Sequence, residues 1–345
     1  MPTLADRALA ALYGLALGDA LGMPTQSLPR STIVSRYGPR ITQLEAAPSD
    51  HPIAAGLAAG HVTDDTEQAL LLGELLVSSA GLPNPRDLAQ RLLAWEQDMR
   101  RRGSHDLLGP STTRALQALM SGVDIGEAGR YGATNGAAMR ITPIGIMASS
   151  HDLPRLVDQV ESVSRVSHNT NLALSAASAI AAAVSAGIDG ATVAEATELA
   201  ISAAELASRR GYWVAGADVA ARIRWACSVV TTRPSDEDVA DLIYRLIGTS
   251  LAAQESIPAA FAVLAIHPHD PWTACQLAAS LGGDTDTIAA MVGAVAGACL
   301  GLQGVPETVL QTVLRTNRLE LTPMAQALCD LRLSSTSTPE KGQTP

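Results

Sequence analysis

A glycine pair followed by alternating acid and hydroxyl residues, Gly282-Gly283-Asp284-Thr285-Asp286-Thr287, stands directly ahead of the apolar run Ile288 to Leu302. That run has no strand-like alternation and is rich in Ala and Gly, so it reads as a buried helix with the acidic loop at its N-terminus. Gly282 and Gly283 permit positive φ and a close backbone approach. Asp284, Asp286 and Thr287 offer only hard oxygen donors, which suit Mg²⁺, Mn²⁺ or Ca²⁺. A helix cap that offsets the dipole draws on the same residue types.

The pattern recurs near the other end of the chain. His61-Val62-Thr63-Asp64-Asp65-Thr66-Glu67 precedes the helical run Gln68 to Leu76. Thr63 is placed to cap that helix, with Thr66 or Glu67 in its first turn. One such element is ordinary; two suggest a shared site. Carboxylates gathered from both would repel one another unless cations lay between them, so a two-metal centre is expected.

If the two loops meet, the chain closes on itself. That favours one compact domain over residues 1–332, although 345 residues would also accommodate two. With a single Phe, the core must be Ala, Leu, Ile and Val, which favours closely packed helices. Lys and Arg number 24 against 34 Asp and Glu, a net charge of −10 that opposes a nucleic-acid surface. Cys227, Cys275, Cys299 and Cys329 are far apart and read as reduced thiols of a cytoplasmic protein. Asp6, Arg7 and Asp19 interrupt the first apolar stretch, and Ile288 to Leu302 is too short to span a bilayer, so no membrane segment is expected.

Five stretches resemble the ADP-ribosylglycohydrolase family, in the family's order: Gly14-Leu15-Ala16-Leu17-Gly18-Asp19-Ala20-Leu21-Gly22, Thr63-Asp64-Asp65-Thr66, Asn135-Gly136-Ala137-Ala138-Met139-Arg140, Ser167-His168, and Gly282 to Thr287. The resemblance implies an all-α, single-domain orthogonal helical bundle with a binuclear Mg²⁺ or Mn²⁺ cleft. It implies cleavage of a glycosidic bond at ribose C1 of an ADP-ribosyl compound or an ADP-ribosylated protein. The implied metal ligands are Thr63, Asp64, Asp65, Asp284, Asp286 and Thr287, with Asp286 as the bridge. Family members that act on ADP-ribosylated proteins usually carry Glu where this chain has Gln26. Gln26 cannot ionise and so cannot act as a general base. That departure opens three further readings: hydrolysis of a nucleoside or other small N-ribosyl compound, a non-catalytic ADP-ribose binder, or a structural relative of the crystallin kind. Gln26, Asp65 and Asp106 are the candidate catalytic residues.

Taken in order, residues 4 to 21 read as an amphipathic helix with Gly14, Gly18 and Gly22 on a close-packing face, ended by Pro24. Residues 30 to 60 read as a loop that could lie over the cleft. Pro85 to Arg101 reads as a helix. Asp106 precedes the turn-forming Gly109-Pro110-Ser111-Thr112-Thr113, and the resemblance makes it a candidate base. Tyr131-Gly132-Ala133-Thr134-Asn135-Gly136 leads into a helix from Ala137, whose free amides would suit phosphate or ribose. Gly132, Thr134, Asn135 and Gly136 are therefore candidate substrate contacts. Arg140 reads as a support of the fold. Ser167-His168 opens an Ala-rich helix reaching Gly187, and the resemblance points His168 at the ribose side of the cleft. Helical periodicity continues over 191–209, 214–228, 235–247 and 251–265. From Leu333 the composition turns to Ser, Thr, Pro and Gly, and a disordered tail is expected over 333–345.

Overall fold

The computed structural model describes residues 2–104 and 108–336. Helices follow one another throughout: α1 (Leu4–Gly22), α2 (Arg30–Tyr37), α3 (Asp64–Ser78), α4 (Pro85–Arg101), α5 (Pro110–Met120), α6 (Ile125–Ala128), α7 (Gly136–Met139), α8 (Thr142–Met147), α9 (Leu153–Ser164), α10 (Asn171–Ile188), α11 (Val193–Ala207), α12 (Val219–Val230), α13 (Asp236–Leu242), α14 (Ala253–Ile266), α15 (Pro271–Ala279), α16 (Thr285–Leu300), α17 (Glu307–Asn317) and α18 (Thr322–Thr336). A 3₁₀ turn, Met23–Thr25, extends α1, and a π-helical turn, Ile243–Ile247, extends α13. Among the described residues there is no β-strand, only isolated bridges at Leu28–Gly283, Thr134–Ala252 and Thr170–Tyr212.

The centre of the molecule is the antiparallel pair α1 and α16, with α10, α14 and α15 packed around it. Small residues let the two backbones touch. A Cβ added at Gly14 or Gly18 would run into the carbonyls of Gly293 or Ala289, and one at Gly22 would lie 2.5 Å from Cα of Asp286. Gly293 and Gly297 meet α1 in the same way from the other side. This interlock brings the C-terminal end of α1 against the acidic N-terminus of α16. Arg7 ties the opposite end, donating to the carbonyls of Gly187, Ala298 and Cys299 at 3.3, 3.2 and 2.8 Å.

Several expectations change. The first helix is not amphipathic, because Leu12, Leu15, Leu17, Ala20 and Leu21 cover its whole circumference with buried groups. The α1 segment through Thr25 and α10 are both long and apolar enough to cross a membrane, but 89% and 94% of their apolar windows are buried inside the protein. Residues 30–37 are helical rather than loop. The helix expected from Ala137 stops after Met139 and restarts as α8. The last helix runs through Thr336, past the expected start of the tail, and the remainder of that tail lies outside the described residues. The four cysteines are free, with burial pushing Cys227, Cys275 and Cys299 up to about 12.

Candidate active site

The two acidic loops meet. Thr287 Oγ1 donates to Asp65 Oδ2 at 3.2 Å, and Thr63 Oγ1 reaches the same oxygen at 3.1 Å. Above this contact is a cleft of about 260 Å³, lined among others by Gln26, Ile53, Asp64, Thr112, Thr134, Asn135, Asp284, Asp286 and Thr287. Ile53 belongs to the segment between α2 and α3, so that segment does reach the cleft wall. Thr63 and Asp65 lie beneath the cleft, 1% and 0% exposed.

Backbone constraints fix the floor. Gly282 and Gly283 have φ of 93° and 78°, a region costly for residues with a Cβ. The crowding there comes from the chain itself: a Cβ on Gly282 would lie 2.7 Å from Arg30 N, and one on Gly283 would meet the Thr249 carbonyl. Ser27 N donates to Gly283 O at 2.7 Å and Asp284 N to Thr249 O at 2.7 Å. Neither Thr63 nor Asp284 caps its helix through its side chain. The cap of α3 is Asp19, whose carboxylate accepts from the amides and hydroxyls of Thr63 and Thr66. The sequence reading overlooked Asp19 as a site residue; its place inside the Gly-rich α1 motif was the available signal.

Charge accumulates around Asp65. Burial raises its pKa well above the ordinary carboxylate value, and Asp64, Asp19 and Asp284 push it the same way. Burial raises Asp284 to about 6, while the amide of Asn135, 2.5 Å from its Oδ2, pulls back. Asp65 Oδ1 is buried with no hydrogen-bond donor. These oxygen-only donors, mutually repelling and partly unsatisfied, fit a hard divalent cation in chemistry. Among the described residues no group of three or more His, Cys, Asp or Glu side chains stands arranged to hold a metal ion.

In the wall over 132–136, Thr134, Asn135 and Gly136 line the cleft and Gly132 does not. α7 is a single short turn, and Asn135 is occupied, its amide N bonded to Leu251 O at 2.9 Å and its side chain to Asp284 and Ser256. Gly132 packs on Ser167, where a Cβ would strike the carbonyl, and Gly136 packs on the His168 ring, 3.0 Å from where its Cβ would be. His168 is fully buried and does not face the cleft; Thr134 stands between, its Oγ1 2.9 Å from His168 Nε2. Gln26 does line the cleft, 5% exposed, with its Nε2 lacking a partner. Asp106 lies outside the described residues.

A family model for ADP-ribosylglycohydrolase matches residues 1–337. The chain belongs to the ADP-ribosylglycohydrolase family. The uncharacterized protein YegU of Escherichia coli (strain K12) is 33% identical over 327 residues, covering 95% of this chain and 97% of its own. The ADP-ribosylarginine hydrolase Tri1 of Pseudomonas putida (strain GB-1) is 29% identical over 335 residues, covering 94% and 78%. A solved ADP-ribosylglycohydrolase-related protein complex superposes with a TM-score of 0.68 at 27% identity, over 96% of this chain and 100% of that one. Membership of this glycohydrolase family implies hydrolysis of ADP-ribose linkages.

Proposed function

We propose that this chain hydrolyses the glycosidic bond at ribose C1 of an ADP-ribosyl compound or an ADP-ribosylated protein. We propose further that two divalent cations, Mg²⁺ or Mn²⁺, are held by Thr63, Asp64, Asp65, Asp284, Asp286 and Thr287. The observation that carries this reading is the Thr287–Asp65 hydrogen bond of 3.2 Å, which joins the two acidic helix starts under one cleft. When bound, such cations neutralise the carboxylates and polarise the oxygens of a ribose diol. Asn135 orients Asp284 through its amide, and the Asp19 cap fixes where Thr63 begins α3. The side-chain amide of Gln26, which lines the cleft with its Nε2 unpartnered, would serve a substrate as a hydrogen-bond donor, not a base. The C1 glycosidic bond would break with oxocarbenium character as water adds at C1, the proton that water loses passing to the departing group.

A second reading, a nucleoside or other small N-ribosyl substrate, draws support from size. The cleft of about 260 Å³ falls just below the usual range of ligand pockets, roughly 300–1,000 Å³. A hydrolysis screen with and without Mg²⁺ or Mn²⁺, over ADP-ribosylated peptides, ADP-ribose derivatives and nucleosides, separates the two. Turnover that is indifferent to chelation, or none on any member, would sink the proposal.

A further inference from the structure

A chain of buried hydrogen bonds leads from Arg140 to the cleft wall. Arg140 is 1% exposed, and a guanidinium has only protons to give. One arm, Nη1, donates to Gln68 Oε1 at 3.0 Å, which turns the Gln68 amide nitrogen toward Asp64 Oδ2 at 2.9 Å. The other arm, Nη2, donates to Ser167 Oγ at 2.5 Å. Ser167 then has a single proton left, and its remaining partner is His168 Nδ1 at 2.8 Å. If Nδ1 instead carried the ring proton, Ser167 would accept twice and its own proton would be buried with no acceptor. With Nδ1 accepting, a neutral ring bears its proton on Nε2. That nitrogen is 2.9 Å from Thr134 Oγ1. Thr134 receives a hydrogen bond from behind, and its own proton is left to face the cleft it lines.

We propose that Arg140, Ser167 and His168 form a one-way relay that commits the Thr134 hydroxyl to donate into the cleft, so that the ribosyl substrate is held there through an acceptor oxygen. This rests on the hydrolase reading for the identity of the substrate, but the direction of the relay does not. His168 and Ser167 are positioning residues; Thr134 is the contact. The same guanidinium sets the opposite polarity on the floor, where Gln68 holds Asp64 as an acceptor. One buried cation thus makes one wall a donor and the floor an acceptor, which suits a sugar bearing both kinds of group.

The test joins ¹⁵N NMR of the histidine rings with ADP-ribose titration of the full chain. The wild-type spectrum should contain a ring with unprotonated Nδ1 and protonated Nε2 that Ser167→Ala alters. Thr134→Val should weaken ADP-ribose binding about tenfold, the size of one net hydrogen bond, and Thr134→Ser should restore it. Ser167→Ala should weaken it comparably, and the two losses should not add. Thr134 is half-buried, so its valine variant should fold, which cooperative melting checks. A protonated Nδ1 on His168, or Thr134→Val binding ADP-ribose as the wild type does, overturns the relay. No wild-type affinity for ADP-ribose also overturns the proposed contact. A protein that binds ADP-ribose through this relay yet hydrolyses no ribosyl bond would leave the relay standing and end the hydrolase reading.

Discussion

Asp19 holds Thr63 by both its amide and its hydroxyl, at 3.0 and 2.7 Å, across the junction of α1 and α3. Both carboxylate oxygens also face backbone amides, since Oδ2 accepts from Thr66 N at 3.1 Å. In Asp19→Asn the side-chain NH₂ would point at a backbone N–H whichever way it turned. The variant should lose about 2 kcal/mol of stability, the cost of breaking hydrogen bonds to a buried charged acceptor. Urea unfolding measures this; an unchanged midpoint would show that Asp19 is not the cap that anchors α3.

The interlock of α1 with α16 predicts intolerance of a single methyl group. At Gly18 a Cβ would overlap the Ala289 carbonyl, and backbone cannot rotate away as a side chain can. Gly18→Ala should cost about 3 kcal/mol or more, at or above the upper range for overpacking. Gly109→Ala, where nothing lies within 4 Å of the added carbon, should cost only about 1 kcal/mol, the loss of a favourable N-cap residue of α5. Equal effects on the two melting curves would refute the close-packed interface.

For the proposed metals, Asp286→Ala should abolish uptake of both cations if Asp286 bridges them. Removing the cations should lower the melting temperature while leaving unfolding cooperative, because the core does not depend on them and the bare carboxylates repel. Full metal occupancy in the variant, or a non-cooperative melt of the chelated protein, would contradict this.

His168 gives a pH dependence with a definite sign. Burial, and then the neighbouring Arg140 charge, hold its pKa well below the usual 6.5. Below 6.5 the unfolded chain takes up a proton that the folded ring refuses. The contribution of His168 to stability is therefore complete above about pH 6.5 and is lost as the pH falls from there toward the depressed folded value. His168→Gln should flatten that part of the stability–pH curve. A wild-type curve that His168→Gln leaves unchanged in slope would mean that the ring takes up its proton alike in the folded and unfolded chain.

Much of this architecture was legible because it is local. Pro85 opens α4 where expected, and the spacing of Gly14, Gly18 and Gly22 marks a packing face without naming its partner. What the sequence could not convey was contact across the chain. Asp19 reaches a helix 44 residues away, and Arg140 meets Ser167 across 27 residues, with no spacing rule to connect either pair. Thr63 does stand at the N-cap of α3, as its residue type suggests, but its hydroxyl is drawn toward Asp19 and Asp65 and makes no bond to a helix amide. α2 escaped notice because it is short, polar and begins after Pro29 with only Arg30 and Ile33 buried.

Gln26 offers the sharpest test of what the cleft accepts. It is 5% exposed and its Nε2 has no partner within the protein, so a buried donor faces the cleft unmet. Such a group normally carries a cost, which a substrate acceptor would remove. If the substrate is a small ribosyl compound whose leaving group supplies that acceptor, Gln26→Glu exchanges a donor for a group that only accepts. Turnover of that substrate should then fall about tenfold or more, the penalty of one mismatched buried hydrogen bond. If instead the chain acts on ADP-ribosylated protein with an acid missing, the same substitution supplies a positioned base. Turnover of ADP-ribosylated peptide should then rise about 10²–10⁴-fold. Assaying both proteins on both substrates decides between the two, because the readings predict opposite signs. We expect the loss on the small compound, since the two loops, their Thr287–Asp65 contact and the Asn135–Asp284 bond are all intact around Gln26. Rapid wild-type cleavage of ADP-ribosylated peptide that Gln26→Glu leaves unchanged would show that position 26 takes no part in the chemistry.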